Sequence, residues 1–315
     1  MADGPVRRHP RRLVALRRSA GWACVIRHGR PLAMVAAGLA LLLAGRLAPV
    51  GQPGTLGWPG GDGPPGRPAL AFLDIGQGDA TLITGGGRAV LVDGGPPDGP
   101  VVDELRALGV RRLDAVAFTH PSTDHAGGVA DVMAALPVDA LLDPQVLPDR
   151  RVTLAARVIA RARHIPVVPL REGQRFAIGP WGVEVLHAGG GRTYDDQNLG
   201  SLVLRLTAGA VTVILPGDGE SLVTGRLDLG PTTVFHTAHH GSGDPGLPTL
   251  LARMHPRLAV ISDGRHNRYG HPHPRTLAAL DAAGVPTART DRDGTILLTV
   301  DDPAAGTISL WGRGP

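Results

Sequence analysis

An apolar run over residues 113–119 stops abruptly at His120-Pro-Ser-Thr-Asp124-His125-Ala-Gly-Gly. Imidazoles and a carboxylate are thus delivered where a buried strand gives way to a loop, which is how divalent metals are held. The pattern recurs. Residues 211–215 end at Pro216-Gly217-Asp218, residues 232–235 lead to His239-His240-Gly-Ser242, and residues 258–262 are followed by Tyr269-Gly270-His271-Pro272-His273. Four strand ends tipped with His or Asp argue for one composite site. A catalytic metal needs ligands gathered from several strand ends, with a position left open to water. Imidazole and carboxylate donors suit one or two divalent ions, zinc or manganese. The candidate ligands are His120, Asp124, His125, Asp218 and a member of the pair His239 and His240, with His240 favoured.

Cys24 is the single cysteine, so neither a disulfide framework nor a thiolate-rich metal site is available. Charge is unevenly placed. Residues 1–30 hold eight Arg against one Asp, so the rest of a chain with net charge +4 carries −3. No global positive field covers the body, and any contact with nucleic acid must be local or metal-assisted. After this basic segment, residues 31–45 are apolar, short of the roughly 20 residues that span hydrocarbon, although Arg46 could snorkel. We read residues 31–50 as a single-pass membrane anchor, with 1–30 in the cytoplasm and everything after about residue 50 on the extracytoplasmic side. A signal peptide is the competing reading, without a convincing small-x-small cleavage site. Residues 51–68 are a Gly/Pro-rich linker, and 69–315 form the main domain.

Within that domain, strands are expected over residues 69–75, 80–84, 88–92, 114–118, 181–186, 201–206, 211–215, 232–235, 258–262, 295–300 and 307–310. Helices are expected over 100–108, 127–136, 247–254 and 274–282. This places the fold in the α/β (α+β) class, as two mixed sheets in a sandwich covered by helices, with the site along one rim. Asp74-Ile-Gly-Gln-Gly-Asp79 lacks the Lys and following helix of a phosphate loop, and its glycines suit tight turns. Asp93, at a strand end, could orient a ligand histidine from behind. His164, His187, His255, His266 and His273 read as surface or hydrogen-bonded histidines, and His236 as a lesser site candidate.

Taken together these residues resemble the metallo-β-lactamase superfamily, whose motif order is a strand-end Asp, H-x-H-x-D-H, a lone His, a bridging Asp and a final His. Asp74 to Asp79, Asn198-x-x-Ser201-Leu-Val, Leu215-Pro-Gly-Asp218, His239-His240-Gly-Ser242, Asn267-Arg-Tyr-Gly-His271-Pro and Asp291-Arg-Asp-Gly-Thr295 are similar to the C-terminal hydrolase domain of ComEC/Rec2 DNA-uptake (competence) proteins. The resemblance spans about residues 69–310. It implies an αββα sandwich preceded by a membrane helix, and a metal-dependent hydrolase, a nuclease cleaving DNA phosphodiesters during uptake. Asp124 would hold metal and touch the nucleophile, and His271 or Ser242 would steady the phosphate or leaving oxygen. The sequence also departs from the pattern. Ser122 stands at the third position of the cluster, Gln197 or Asn198 stands near the expected lone His, and the family's multi-helix channel is not in this sequence, which leaves open a split or truncated relative and a chain that partners with a separate channel protein. Two other readings stay open: a hydrolase of another small ester or phosphodiester, or a degraded module that binds DNA or a channel protein without cutting.

Overall fold

The computed structural model describes the backbone of residues 11–16, and residues 58, 61 and 63–314. The expected anchor at 31–50, Cys24 and most of the basic segment and linker lie outside the described residues. Among the described residues no helix is long and apolar enough to cross a membrane.

Two sheets form the centre. The first holds nine strands: β1 (Arg11–Leu16), β2 (Ala69–Phe72), β3 (Thr81–Gly85), β4 (Arg88–Val92), β5 (Ala115–Ala117), β6 (Leu141–Asp143), β7 (Val167–Pro169), β15 (Ile296–Asp302) and β16 (Thr307–Gly312), in the order β1-β16-β15-β2-β3-β4-β5-β6-β7. The second holds β8 (Arg175–Ile178), β9 (Trp181–His187), β10 (Val203–Ala208), β11 (Val211–Leu215), β12 (Val234–His236), β13 (Leu258–Ile261) and β14 (Thr287–Arg289), in reverse sequence order. Each sheet joins an antiparallel half to a parallel one: β4 to β7 run parallel in the first, β11 to β14 in the second.

Most central strands are buried on both faces, and this explains their unbroken apolar sequences. Leu70, Phe72, Ile83, Val90 and Val92 pack against Leu204, Leu206, Val211 and Val213 between the sheets. Alternate residues, Ala69, Ala71, Leu82, Leu91 and Val116, turn outward into a second cluster with Leu105, Val132 and Ala156 from the helices Val101–Ala107, Val129–Ala135 and Arg151–Ala162. Ile214, Phe235 and Ala259 do the same beneath the helices Leu247–Met254 and Pro274–Ala282. The layers are therefore helix, sheet, sheet, helix, as the fold reading expects. Trp181, fully buried, donates its indole N–H to Thr84 O at 3.0 Å and fastens one sheet to the other.

The sequence reading passes over the helix Arg151–Ala162 and the strands β6, β7, β8 and β14. The helix buries Thr153, Ala156 and Ala160 while Leu154 and Val158 are exposed, so its inward stripe is made of small residues that hydropathy undervalues. β7 and β8 are edge strands with mostly exposed residues, and β7 ends on a proline that an edge tolerates. β1 pairs antiparallel with β16, which keeps residues 11–16 on the same side of any membrane as the sheet.

Candidate metal centre

Parallel strands put their C-terminal ends on one edge, and ligands gather outside such edges. β4 and β5 deliver Asp93 and His120 there, and β11, β12 and β13 deliver Asp218, the His239-His240 pair and Ser262. The helix expected from residue 127 is preceded by a separate turn, Thr123–Ala126, which carries Asp124 and His125. His239 and His240 both occupy the left-handed region, at φ 51° and 53°. Two consecutive non-glycine residues there cost about 1–2 kcal/mol each. The turn sends His240 inward, 2 % exposed, and leaves His239 half-buried at the rim.

Asp218 is the meeting point. Its Oδ1 lies 2.9 Å from His125 Nε2 and 3.9 Å from His240 Nε2, and its Oδ2 lies 3.5 Å from His120 Nε2 and 3.7 Å from His239 Nε2. On the far side, His240 Nε2 lies 3.4 Å from Asp124 Oδ2. Five predicted ligands therefore share one small volume, with His239 at its margin. Four of their buried atoms, His120 Nε2, His125 Nε2, His240 Nε2 and Asp218 Oδ1, make no well-aligned hydrogen bond, although His125 Nε2 and Asp218 Oδ1 stand 2.9 Å apart. Buried polar atoms are rarely left so. Nitrogen and oxygen atoms converging in this way are what a shared cation requires once the ring protons are given up, and the donor set suits zinc or another borderline divalent ion.

The opposite nitrogens are all engaged. His125 Nδ1 lies 2.9 Å from Asp93 Oδ2, and Asp93 also accepts from Thr119 N at 2.7 Å and Thr119 Oγ1 at 2.9 Å. His240 Nδ1 lies 3.1 Å from Ser262 O and 3.4 Å from Asp79 Oδ1. His120 Nδ1 lies 3.1 Å from Thr119 Oγ1. Such partners fix which ring nitrogen is left for a metal. Asp79, His125 and His240 also lie close enough to form a group of their own. Asp79, however, approaches both rings from their Nδ1 side, which makes it a backing carboxylate here. It also lies 3.7 Å from His236 Nε2, whose nearer partner is Ser262 Oγ at 2.9 Å. His236 thus sits behind the centre.

Asp79 arrives through the glycines of its loop. Gly78, at φ 133°, passes so close to the Thr123–Ala126 turn that a Cβ would meet Asp124 O at 2.2 Å. The close approach lets Asp79 N donate to Asp124 O at 3.1 Å. Here the turn-forming reading of the glycines is incomplete, because one of them admits a carboxylate to the site.

Electrostatics follow from this packing. Burial would raise Asp218, but His125 and His120 hold it well below the ordinary carboxylate range. Burial is likewise outweighed at Asp79, lowered to about 2 by His236 and His240, and at Asp124, lowered by His240 and His125. Burial would lower His125 and His240, yet Asp218 and Asp93 raise the first, and Asp79 and Asp124 the second, well above 6.5.

The remaining expected residues fall around this cluster. Ser122 donates to Asp124 Oδ1 at 2.5 Å. Gln197 is turned away, donating to Pro148 O at 2.7 Å and accepting from Arg150 at 3.0 Å, and the Asn198 backbone N–H donates to Asp196 Oδ1 at 3.0 Å. His271 lies beside the pair, its ring 5.6 Å from His239 and 6.3 Å from His240, with its Nδ1 buried and unpartnered. Ser242 does not face the ligand cluster with its hydroxyl, which donates to Glu220 Oε1. Glu220 also holds His239 Nδ1 at 2.8 Å. His187 binds Ser201 O at 2.8 Å, His273 caps the helix Pro274–Ala282, His255 ends the helix Leu247–Met254, and His164 and His266 are exposed.

Sequence reasoning missed Glu220 and Asp263. Glu220 stands two residues beyond Asp218, a spacing that could have drawn notice. Asp263 directly follows the carbonyl that backs His240. Fully buried, it accepts from Gly264 N at 2.7 Å with one oxygen and leaves the other unpartnered, and burial pushes its carboxyl up to about 7.

The sequence pattern of the metallo-beta-lactamase superfamily matches residues 73–262. Over 272 residues the chain is 27% identical to ComE operon protein 3 of Bacillus subtilis, covering 76% of this chain and 34% of that protein. It is 29% identical to competence protein ComA of Neisseria gonorrhoeae, covering 74% and 32%, and 31% identical to recombination protein 2 of Haemophilus influenzae, covering 64% and 25%. The chain thus spans between a quarter and about a third of the length of these relatives. Among solved structures, the metallo-beta-lactamase fold protein YhfI of Bacillus subtilis is 13% identical, covering 70% of this chain and 96% of that one, with a TM-score of 0.48.

Proposed function

Because this chain belongs to the metallo-beta-lactamase superfamily and resembles the hydrolase part of ComEC/Rec2-type competence proteins, we propose that it is a metal-dependent phosphodiesterase acting on DNA during uptake. The observation that carries the reading is the convergence of four buried ligand atoms on His120, His125, Asp218 and His240. These residues with Asp124 would hold the ion. A divalent ion there supplies a Lewis acid and a source of hydroxide at neutral pH.

The chain's own groups account for the rest. Asp93, Asp79 and the Ser262 carbonyl fix the ring orientations of His125 and His240, so the site is set before substrate arrives. Asp124, whose side chain is 26% exposed, is the ligand that an incoming nucleophile can touch. Burial and the neighbouring His239 and His240 lower His271, so it is neutral near pH 7 and can share a proton with a phosphate or leaving oxygen. Glu220 holds His239 Nδ1 and thereby presents Nε2 toward Asp218 at the rim.

The proposal extends to place. Residues 31–50 anchor the chain with its hydrolase domain outside the cell, beside a separate channel protein. Such an anchor requires residues 11–16 to leave the β16 edge, so labelling of Cys24 from either face of sealed vesicles tests it.

For the activity, the purified chain loaded with manganese or zinc is expected to cut DNA, and Asp124→Ala to cut at least about 100-fold more slowly, beyond the loss typical of a backing residue. Intact DNA with both proteins would end the nuclease reading. Faster turnover of chromogenic phosphodiesters or lactones than of DNA would instead favour another small-ester substrate. Ser122 and the outward-turned Gln197 favour a second reading, a module that binds without cutting. Less than about half an ion per chain at saturating metal would support it.

A further inference from the structure

We infer that the 264–273 loop carries a stacking platform for an unpaired base, with Tyr269 as its surface and Arg268 as its cation, so that DNA reaches the centre as a single strand. The inference rests on the nuclease reading and names the form of its substrate. Aromatic residues make up 3% of the chain, and several are spent on packing: Phe72, Phe118, Trp181 and Phe235 are fully buried. Among the described residues the large exposed apolar side chains are aliphatic except Tyr269, which is 55% exposed.

Its position is not arbitrary. The Tyr269 ring stacks on His271 at 6.0 Å and 28°, and His271 in turn meets His239 and His240. A ladder of rings therefore leads from a buried candidate ligand to the surface. The Arg268 guanidinium lies 5.5 Å from the Tyr269 ring centroid. Arg268 is exposed and long, so it can exchange the ring for a phosphate without disturbing the core.

The loop is held in this shape in advance. Asn267 Nδ2 donates to Gly264 O at 3.0 Å and His271 O at 2.7 Å, while its Oδ1 accepts from Tyr269 N and His271 N, both at 3.1 Å. A surface fixed before binding loses little freedom when a ligand arrives. Every base has a π-face, so stacking beside a cation grips a strand without reading its sequence. With the body carrying net negative charge, such local contacts must replace a basic field. A duplex offers no free base face, which selects the single strand.

The test is fluorescence anisotropy with the full chain, in chelator so that nothing is cut, using a labelled 12-nucleotide strand, the same strand with abasic positions, and a duplex. Wild type is expected to prefer the normal strand over the abasic one, Tyr269→Ala to weaken the normal strand about 10-fold or more, and Tyr269→Phe to retain affinity. Arg268→Ala should weaken normal and abasic strands alike, because it serves the phosphate. Equal wild-type affinity for normal and abasic strands overturns the platform even if the alanine variant does not fold. So does a Tyr269→Ala loss as large on the duplex. Failure of the nuclease reading is distinguishable: the metal-loaded wild type then leaves DNA intact whatever the anisotropy reports.

Discussion

The two sides of Asp218 differ in how completely they are built. On one side, His125 and His240 each have a carboxylate or carbonyl on Nδ1 and an Nε2 without a well-aligned hydrogen bond, and Asp124 completes the group. On the other, His120 has a hydroxyl behind it, Ser122 stands where the superfamily carries His, and Gln197 is tied to the 148–150 segment. A ligand set with its supporting carboxylates in place is primed to hold an ion. A set lacking two donors is not. The contrast teaches that loss of ligands on one side need not disarm a two-sided site, because each side draws on its own backing groups.

The severest way to break this comparison is Asp218→Asn, which weakens the carboxylate that both sides share. Metal content by elemental analysis and hydrolysis should both fall by more than the about 10–100-fold that a backing residue commands. If the variant keeps its ion, Asp218 is not the bridge. Asp93→Ala comes next. It leaves the ligands in place but frees His125 Nδ1 and the Thr119 backbone, so calorimetric metal affinity should drop by about 10–100-fold, with His240-side contacts unaltered.

Proton competition is a gentler probe. In ion-free protein His125 and His240 are raised above 6.5, so the stability they add is full below that value and is lost as pH climbs through the raised pKa values. Asp79, Asp124 and Asp218 are depressed, so their contribution is present above 3.8 and is lost as pH falls. The melting temperature with chelator is therefore expected to decline as pH is taken above 6.5, whereas added metal, which releases those protons, stabilises more as pH rises. Parallel curves with and without metal would contradict the arrangement. The smallest effect should come from Ser122→Asp, which adds a donor to the depleted side. We expect metal stoichiometry to move from about one toward two ions per chain, with activity changed by less than about tenfold.

Legibility in the sequence followed the same divide. Strands with buried ends, such as Arg88–Val92 and Val211–Leu215, are apolar runs followed within three residues by an Asp, and those groups are readable, Asp93 as a residue behind a ligand histidine and Asp218 as a candidate ligand. The helix Arg151–Ala162 was illegible because alanines line its buried stripe while Leu154 and Val158 face outward. Asp79 was visible as a residue but not as a neighbour of three histidines, and Glu220 was not singled out. Their places depend on a glycine letting one loop graze another, and on a carboxylate meeting a ring 19 positions later.

What the sequence by itself determined is the chemistry: which donors the chain owns, which runs must be buried, and that donors follow those runs, since side-chain type and strand period are local properties. Only the tertiary structure decided which nitrogen of each ring is spent on support and which is left for a cation, that Asp79 backs the rings, and that Tyr269 stands on a ladder leading out from them. Those are relations between strand ends far apart in the chain. They are set by the order and direction in which the strands pair, which no single segment encodes.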